Sequence, residues 1–220
     1  MAIIEMAEDS FLKIGITPQN FPSDINSEVE RIISYLSNNE ADLFHLRHPS
    51  ASISDWRRYL DSIPEQYFPY LTLHDNFELI TEYGIGGIHL NSRNPEIPFH
   101  IIDRALLPNI RISTSCHSLA EIENLLKNQF QPTASPLYPD DHLQTAMDLR
   151  LHYVTLSPIF DSISKIGYKS AFSISDLATI IPSLPIDVIA LGGVRTKNFP
   201  LLKSLGFKGA AMLGHFFNNS

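Results

Sequence analysis

A single cysteine, Cys116, among 220 residues excludes an intrachain disulfide. Such cysteine usage is compatible with a reducing compartment. Positive charge is also scarce: 16 Lys and Arg against 24 Asp and Glu leave a formal net charge of -8. That balance argues against nonspecific binding to nucleic acid or to a membrane surface, both of which need clustered cations. No stretch approaches the roughly 18 uninterrupted apolar residues of a membrane span. The opening MAIIEMAEDSFLKIG is acidic where a secretory leader would be basic. A cytoplasmic protein is therefore expected. Cysteine pairs and an HxxxH helix are missing, which disfavours a tight transition-metal site. No GxGxxG follows the first strand-like stretch, which argues against a dinucleotide-binding sheet.

What is present is one core's worth of apolar sequence, 44% of the chain with 18% charged residues, read as one domain over residues 1–220. Short β-type stretches alternate with helical-period segments, the pattern of a parallel α/β fold. Eight strands are expected: Lys13 to Thr17, Leu43 to Arg47, Leu71 to Asp75, Gly87 to Asn91, Arg111 to Ser115, Tyr153 to Ser157, Val188 to Gly192 and Ala210 to Gly214. Amphipathic segments between them include Asn26 to Leu36, Ile53 to Ile63, Leu119 to Leu126 and Ser175 to Ile181. Eight such units suit a closed TIM (β/α)8 barrel better than an open sheet. The Pro-rich stretch QFQPTASPLYPDD, at about 129–141, reads as an insertion on the amino-terminal face, opposite the usual site. The sequence HFFNNS after the last strand leaves the eighth helix missing or truncated. Residues 1–11, the insertion or a second subunit in a homo-oligomer would then cover that wall.

In a barrel of this kind, residues at the carboxyl ends of the strands face the site. Those ends carry His45, Arg47 and His48, then His74 and Asp75, then His89, Asn91 and Asn94, then Ser115, Cys116 and His117. The sixth leads into SPIFDSISK, the seventh ends at Gly192 and Gly193, and the eighth at Gly214 and His215. Arg47 offers a planar fork of donors to a phosphate and Lys165 a mobile point charge. Gly192 and Gly193 either bring backbone N–H groups close to a phosphate or simply turn the chain. Asp75 is suited equally to capping the following FELITEY helix and to binding a metal. Cys116 reads as a small buried residue. His117 stands before Ser118, which with Glu121 has the spacing of a capping box.

Taken together, GGIHLN, STSCHS, SPIFDSISK, ALGGV and GFKGAAMLG, in this order from about Leu43 to Gly214, resemble the thiamine phosphate synthase and TenI family of barrels. The resemblance implies joining of a hydroxymethylpyrimidine diphosphate to a thiazole phosphate with release of diphosphate, and Mg2+ as cofactor. It implies Arg47 and Lys165 as diphosphate contacts and Asp75 as a magnesium ligand, with Asn94 at the second metal position. Ser115 would contact the pyrimidine substrate, and His45 and His74 stand at further substrate-binding positions. Ser162, Ser164, Gly193, Leu213 and Gly214 would hold the thiazole phosphate, Gly192 adjoining them. Partners would be these small phosphorylated metabolites.

This chain departs from the family pattern at His45, where a glutamine is usual, at His74, where an asparagine is usual, at Pro49 for a lysine, and at Asn94 for an aspartate. Two alternatives remain open. A TenI-like thiazole tautomerase needs a proton carrier, and Pro158 stands where that subfamily has its histidine, so His74 or His117 would have to serve. A non-catalytic binder of thiazole or thiamine phosphate would retain the phosphate elements alone.

Overall fold

Alternating side chains in a parallel ladder go to opposite faces, so closing the sheet sends every second residue into a common interior. A computed structural model describes residues 11–98, 110–129, 151–161 and 172–217. Eight strands close in sequence order: β1 (Leu12–Ile16), β2 (Leu43–Leu46), β3 (Leu71–Leu73), β4 (Gly87–Leu90), β5 (Arg111–Cys116), β6 (Tyr153–Leu156), β7 (Asp187–Leu191) and β8 (Gly209–Met212). All pairings are parallel, and β8 returns to β1 through Leu12 opposite Gly209 and Ile14 opposite Ala211. The barrel expected from the sequence is the one observed.

The register divides the interior into two halves. Leu12, Ile14, Ile16, Leu43, Ile189 and Ala211 form an apolar cluster that includes only one polar-tipped residue, Tyr153. Across from it, Gly87 aligns with Arg111, His89 with Ser113, Ser113 with Tyr153, and Ser115 with Thr155. Strands β2 to β6 thus turn polar side chains into the barrel. Their intervening residues face outward: Phe44, Leu71, Leu73 and Ile88 join one shell cluster, and Val154, Leu156, Val188 and Ala190 another.

The helices are α1 (Ile25–Ser37), α2 (Ile53–Asp61), α3 (Glu78–Tyr83), α4 (Leu119–Gln129), α5 (Ile174–Ile180), α6 (Phe199–Ser204) and the single turn α7 (Gly214–Phe217). Local sequence starts several of them. The Asp24 carboxylate accepts from the Ser27 N–H at the head of α1, and Ser52 and Asp55 form a reciprocal capping box at α2. Ser118 accepts from the Glu121 N–H at 3.1 Å as expected, but the Glu121 carboxylate reaches the N–H of His117 at 2.6 Å, one residue earlier than a capping box would place it. Asp75 does not cap α3: Phe77 is the cap residue and offers no side-chain bond. Between α1 and α2, the buried Glu28 carboxylate accepts from Tyr59 Oη at 2.8 Å and lies 3.0 Å from His48 Nε2, which ties the two helices together.

After β8 the described residues form the single turn α7. Phe216, buried, packs its ring 4.8 Å from that of Tyr35 on α1 and 5.4 Å from that of Phe44. One helical turn thereby covers wall that a longer helix would otherwise cover. Of residues 1–11, only Phe11 is described, and its ring lies 4.9 Å from that of Phe199. The Pro-rich stretch lies outside the described residues apart from Gln129, which ends α4.

The outer packing generates a test at Gly15. A Cβ there would collide with the ring of Phe44, which is held by Phe216 behind it. Gly15→Ala is expected to cost about 1 to 3 kcal/mol in urea unfolding, with part recovered when Phe44→Leu is added. An unchanged unfolding midpoint would contradict this packing.

Candidate functional site

Three histidines meet at the carboxyl end of the polar half. His45 on β2 and His89 on β4 face inward, and His74 follows β3; all three are buried. His45 Nδ1 lies 2.9 Å from His74 Nε2, and His45 Nε2 lies 2.7 Å from Tyr153 Oη. His89 Nδ1 is 2.8 Å from Ser113 Oγ, and its Nε2 is 2.8 Å from Ser115 Oγ. The His74 and His89 rings stack at 4.3 Å between centroids. Ser115, expected at the pyrimidine, therefore belongs to the same network as His45 and His74.

Burial forces these rings to be neutral. It pushes His45 well below the ordinary value, helped by His89 and Arg111, and pushes His74 down likewise, helped by His89, His45 and the two arginines 47 and 93. Burial, with Arg47 adding to it, lowers His89 to about 3. Neutral imidazoles are competent metal ligands, and the nearest ring nitrogens of the three lie within 4.8 Å of one another. Their geometry serves hydrogen bonding instead. Lone pairs lie in the ring plane, so the stacked His74 and His89 cannot readily aim theirs at one ion, and His89 has both nitrogens on serines.

At the rim above the histidines the charged groups gather. Asp75 accepts from Asn94 Nδ2 at 2.8 Å, and one Arg93 guanidinium nitrogen lies 3.3 Å and 3.5 Å from its two oxygens. Asn94 Nδ2 also donates to the His74 carbonyl at 3.1 Å. Both neighbours are acceptors, which fixes the amide with its N–H groups toward Asp75. Arg47 is half-buried. Its pKa is lowered by burial and then by Arg93, and raised by Asp75, so the three groups act on one another. Among the described residues the Arg47 guanidinium makes no hydrogen bond, leaving its donors for a ligand.

The remaining expected residues divide into two groups. His117 stands at the mouth, with Nδ1 3.3 Å from the Ser157 carbonyl and 3.2 Å from its hydroxyl. Gly192 and Gly193 have φ of 88° and 66°. A Cβ on Gly193 would come within 2.5 Å of the Asp161 carbonyl, so the pair turns the chain and admits the loop after β6. Leu213 precedes the one-turn α7, which Gly214 opens. Cys116 is buried, and burial, with Glu121 beside it, raises its thiol to about 11, so it is no reactive thiolate. Ser162, Ser164 and Lys165 lie outside the described residues.

Sequence reading confined to strand ends missed Tyr153, Ser113 and Arg93. The first two were findable from alternation, since Tyr153 and Thr155 share a face of β6 and Ser113 and Ser115 a face of β5. Arg93 carried no signal, because only the turn at Asn91 brings it to Asp75. In that turn the Asn91 side-chain oxygen accepts from the N–H of Arg93 at 3.0 Å and of Asn94 at 3.3 Å.

The lowered histidines give a signed pH dependence. A neutral buried imidazole excludes a proton that the unfolded chain accepts, so its stabilisation is complete above about pH 6.5 and is lost as pH falls toward 3. His89 alone should make the protein about 2 kcal/mol less stable near pH 5 than near pH 7.5. Urea unfolding at the two pH values checks this, and His89→Asn should remove that part of the difference. Equal slopes for the variant and the parent would show that His89 is not the group responsible.

Comparison with known proteins agrees with the barrel fold. Residues 136–216 match the family model described as thiamine monophosphate synthase. The crystal structure of thiamine phosphate pyrophosphorylase from Bacteroides thetaiotaomicron superposes with a TM-score of 0.69 at 30% identity, covering 96% of this chain and 86% of that one. The Pyrococcus furiosus thiamine phosphate pyrophosphorylase shares the fold, with a TM-score of 0.61 at 18% identity over 92% of this chain and 86% of its own. The thiamine-phosphate synthase of Latilactobacillus sakei is 24% identical over 160 residues, 73% of this chain. That match spans 62% of the relative's own length, less than two thirds. A structural relative at 30% identity across nearly the whole barrel, with the family pattern in the carboxyl-terminal third, settles the affiliation: the chain belongs to the thiamine monophosphate synthase and TenI family.

Proposed function

We propose that the protein joins hydroxymethylpyrimidine diphosphate to thiazole phosphate and releases diphosphate, a transferase reaction that yields thiamine phosphate. The observation that carries this reading is the meeting of Arg47 from β2, His74 from β3 and Ser115 from β5 around His89: Ser115 bonds one face of the network, His74 stacks on His89, and Arg47 acts electrostatically on both histidines. These are residues to which the family resemblance gives the pyrimidine and the diphosphate.

In this reaction the bond between the pyrimidine methylene carbon and the diphosphate oxygen breaks, and its electron pair leaves with the diphosphate. The methylene carbon becomes cationic and is captured by the thiazole nitrogen. The protein's part is to hold the two rings in contact and to stabilise charge on the leaving group. Arg47 faces that charge with free donors, and Lys165 would add a second cation. His74 and Ser115 would form a neutral floor for the pyrimidine, and His45, with both nitrogens on His74 and Tyr153, would hold that floor from beneath. Ser162, Ser164, Gly193 and the start of α7 would receive the thiazole phosphate, with Gly192 shaping the turn.

Magnesium is the cofactor that the family resemblance implies. The donor set here does not fit it: a hard cation seeks oxygen ligands, whereas among the described residues Asp75 is the one carboxylate beside Arg93 and Asn94, Asn94 presents N–H groups to it, and Arg93 already neutralises it. No step is assigned to a metal. A tautomerase would need His74 or His117 in place of Pro158, and no contact among the described residues favours either over the synthase reading.

The test is incubation with both substrates and detection of thiamine phosphate by mass. Product should form, and Arg47→Ala or Lys165→Ala should lower turnover roughly 10²- to 10³-fold, the usual effect of deleting one such electrostatic contact. Thiazole isomerisation without coupling, lost in His117→Asn, would replace the synthase by the tautomerase.

A further inference from the structure

Arg93 lies on the loop after β4, directly before the position where the family pattern places a metal-binding aspartate and this chain has Asn94. The loop is fixed. Asn91 N donates to the Asn94 carbonyl at 3.1 Å, and Asn94 N returns the bond to Asn91 at 3.0 Å. The Asn91 amide also donates to the carbonyls of His74 at 2.8 Å and His89 at 3.3 Å, tying the loop to the ends of β3 and β4. From this anchored turn the Arg93 guanidinium reaches both oxygens of Asp75, and its side chain stays 42% exposed toward the mouth.

The charge count at this rim is unusual for an acidic chain. Arg47 directly follows Leu46, whose carbonyl accepts from the His74 N–H at 3.3 Å, and Arg93 bonds Asp75, the residue after His74, so both guanidiniums stand at the same corner of the mouth. Among the described residues one carboxylate, Asp75, faces them. The two guanidiniums therefore leave one positive charge in excess, within a protein whose formal charge is -8. A divalent cation at Asp75 would have to displace Arg93 and turn the Asn94 amide away from two acceptors at once. An anion entering between the arginines has no such conflict, because a planar guanidinium offers paired donors to phosphoryl oxygens while Asp75 keeps one edge of Arg93 in place.

We infer that Arg93 is a ligand-binding residue which, together with Arg47, holds the diphosphate group without a divalent cation, and that Asp75 orients Arg93 instead of ligating metal. The inference rests on the synthase reading for the identity of the anion. Substituting Asn94 for a carboxylate and placing a cation one residue before it are then two halves of one change, which exchanges a metal-bridged pocket for a two-arginine clamp. Arg93 makes its charge available at the mouth without any cation being recruited, so affinity for the anion is governed by the chain alone.

The experiment is isothermal titration of inorganic diphosphate into the full chain, in chelator and in excess magnesium. Diphosphate should bind in chelator, and magnesium should not strengthen binding. Arg93→Ala should weaken binding in chelator at least tenfold. Adding Asn94→Asp to Arg93→Ala should restore binding only when magnesium is present. The exposed position of Arg93 makes folding failure an unsuitable explanation, and unchanged circular dichroism of each variant checks it. Diphosphate binding by the parent chain that requires magnesium overturns the inference and leaves the synthase reading standing. Unaltered binding by Arg93→Ala in chelator also overturns it alone. No diphosphate binding by the parent chain in either condition overturns both.

Discussion

Closing eight strands into a barrel creates one interior shared by residues that are far apart in sequence, and the chemistry of that interior follows from which half of it is polar. Strands β7, β8 and β1 fill their side with aliphatic groups, whereas β2 to β6 bring in His45, Thr72, His89, Ser113 and Tyr153. A polar group so placed is costly unless bonded. His45 meets that demand through Tyr153 and His74, and His89 through Ser113 and Ser115. Remaining uncharged is part of the same solution, since a buried imidazolium would lack a carboxylate to face.

Above this neutral floor the rim concentrates charge. The separation has a physical consequence: a cationic Arg47 lies over histidines that burial keeps neutral, so the attraction of an incoming anion comes from the rim and not from the floor. Electrostatic attraction at the rim and hydrogen bonding at the floor would thus act on different ends of the proposed substrate, anionic at one end and a neutral heterocycle at the other. This division suits that proposal. It also explains why a chain of net charge -8 needs only a few fixed cations at one mouth.

The departures from the family pattern are spatially coordinated. His45 and His74 replace a glutamine and an asparagine on neighbouring strands, and their rings touch through a 2.9 Å contact. Asn94 replaces an aspartate, and the residue beside it is the arginine that neutralises Asp75. Each pair exchanges one self-consistent arrangement for another, so neither substitution can be weighed by itself.

How much of this was legible in the sequence depended on whether the signal was local. Alternation and helical period specified the strands, because a parallel barrel buries each strand on both faces and each helix on one; hence β1 to β8 lie close to where apolar spacing put them. Strand ends marked His45, Arg47, His74, Asp75 and Ser115 as candidates, since the architecture itself directs those ends to one mouth. Local sequence also marked the Ser118 cap. It left Asp75 open between a helix cap and a metal ligand, because residue type alone does not say where a carboxylate turns; the cap is not formed. Tertiary structure decided the rest: that Asp75 meets Arg93 and Asn94, that the three imidazoles share one network with Tyr153, and that one turn of helix with Phe216 seals the wall beside α1. Those outcomes depend on distances between residues on different strands and loops, which only barrel closure sets.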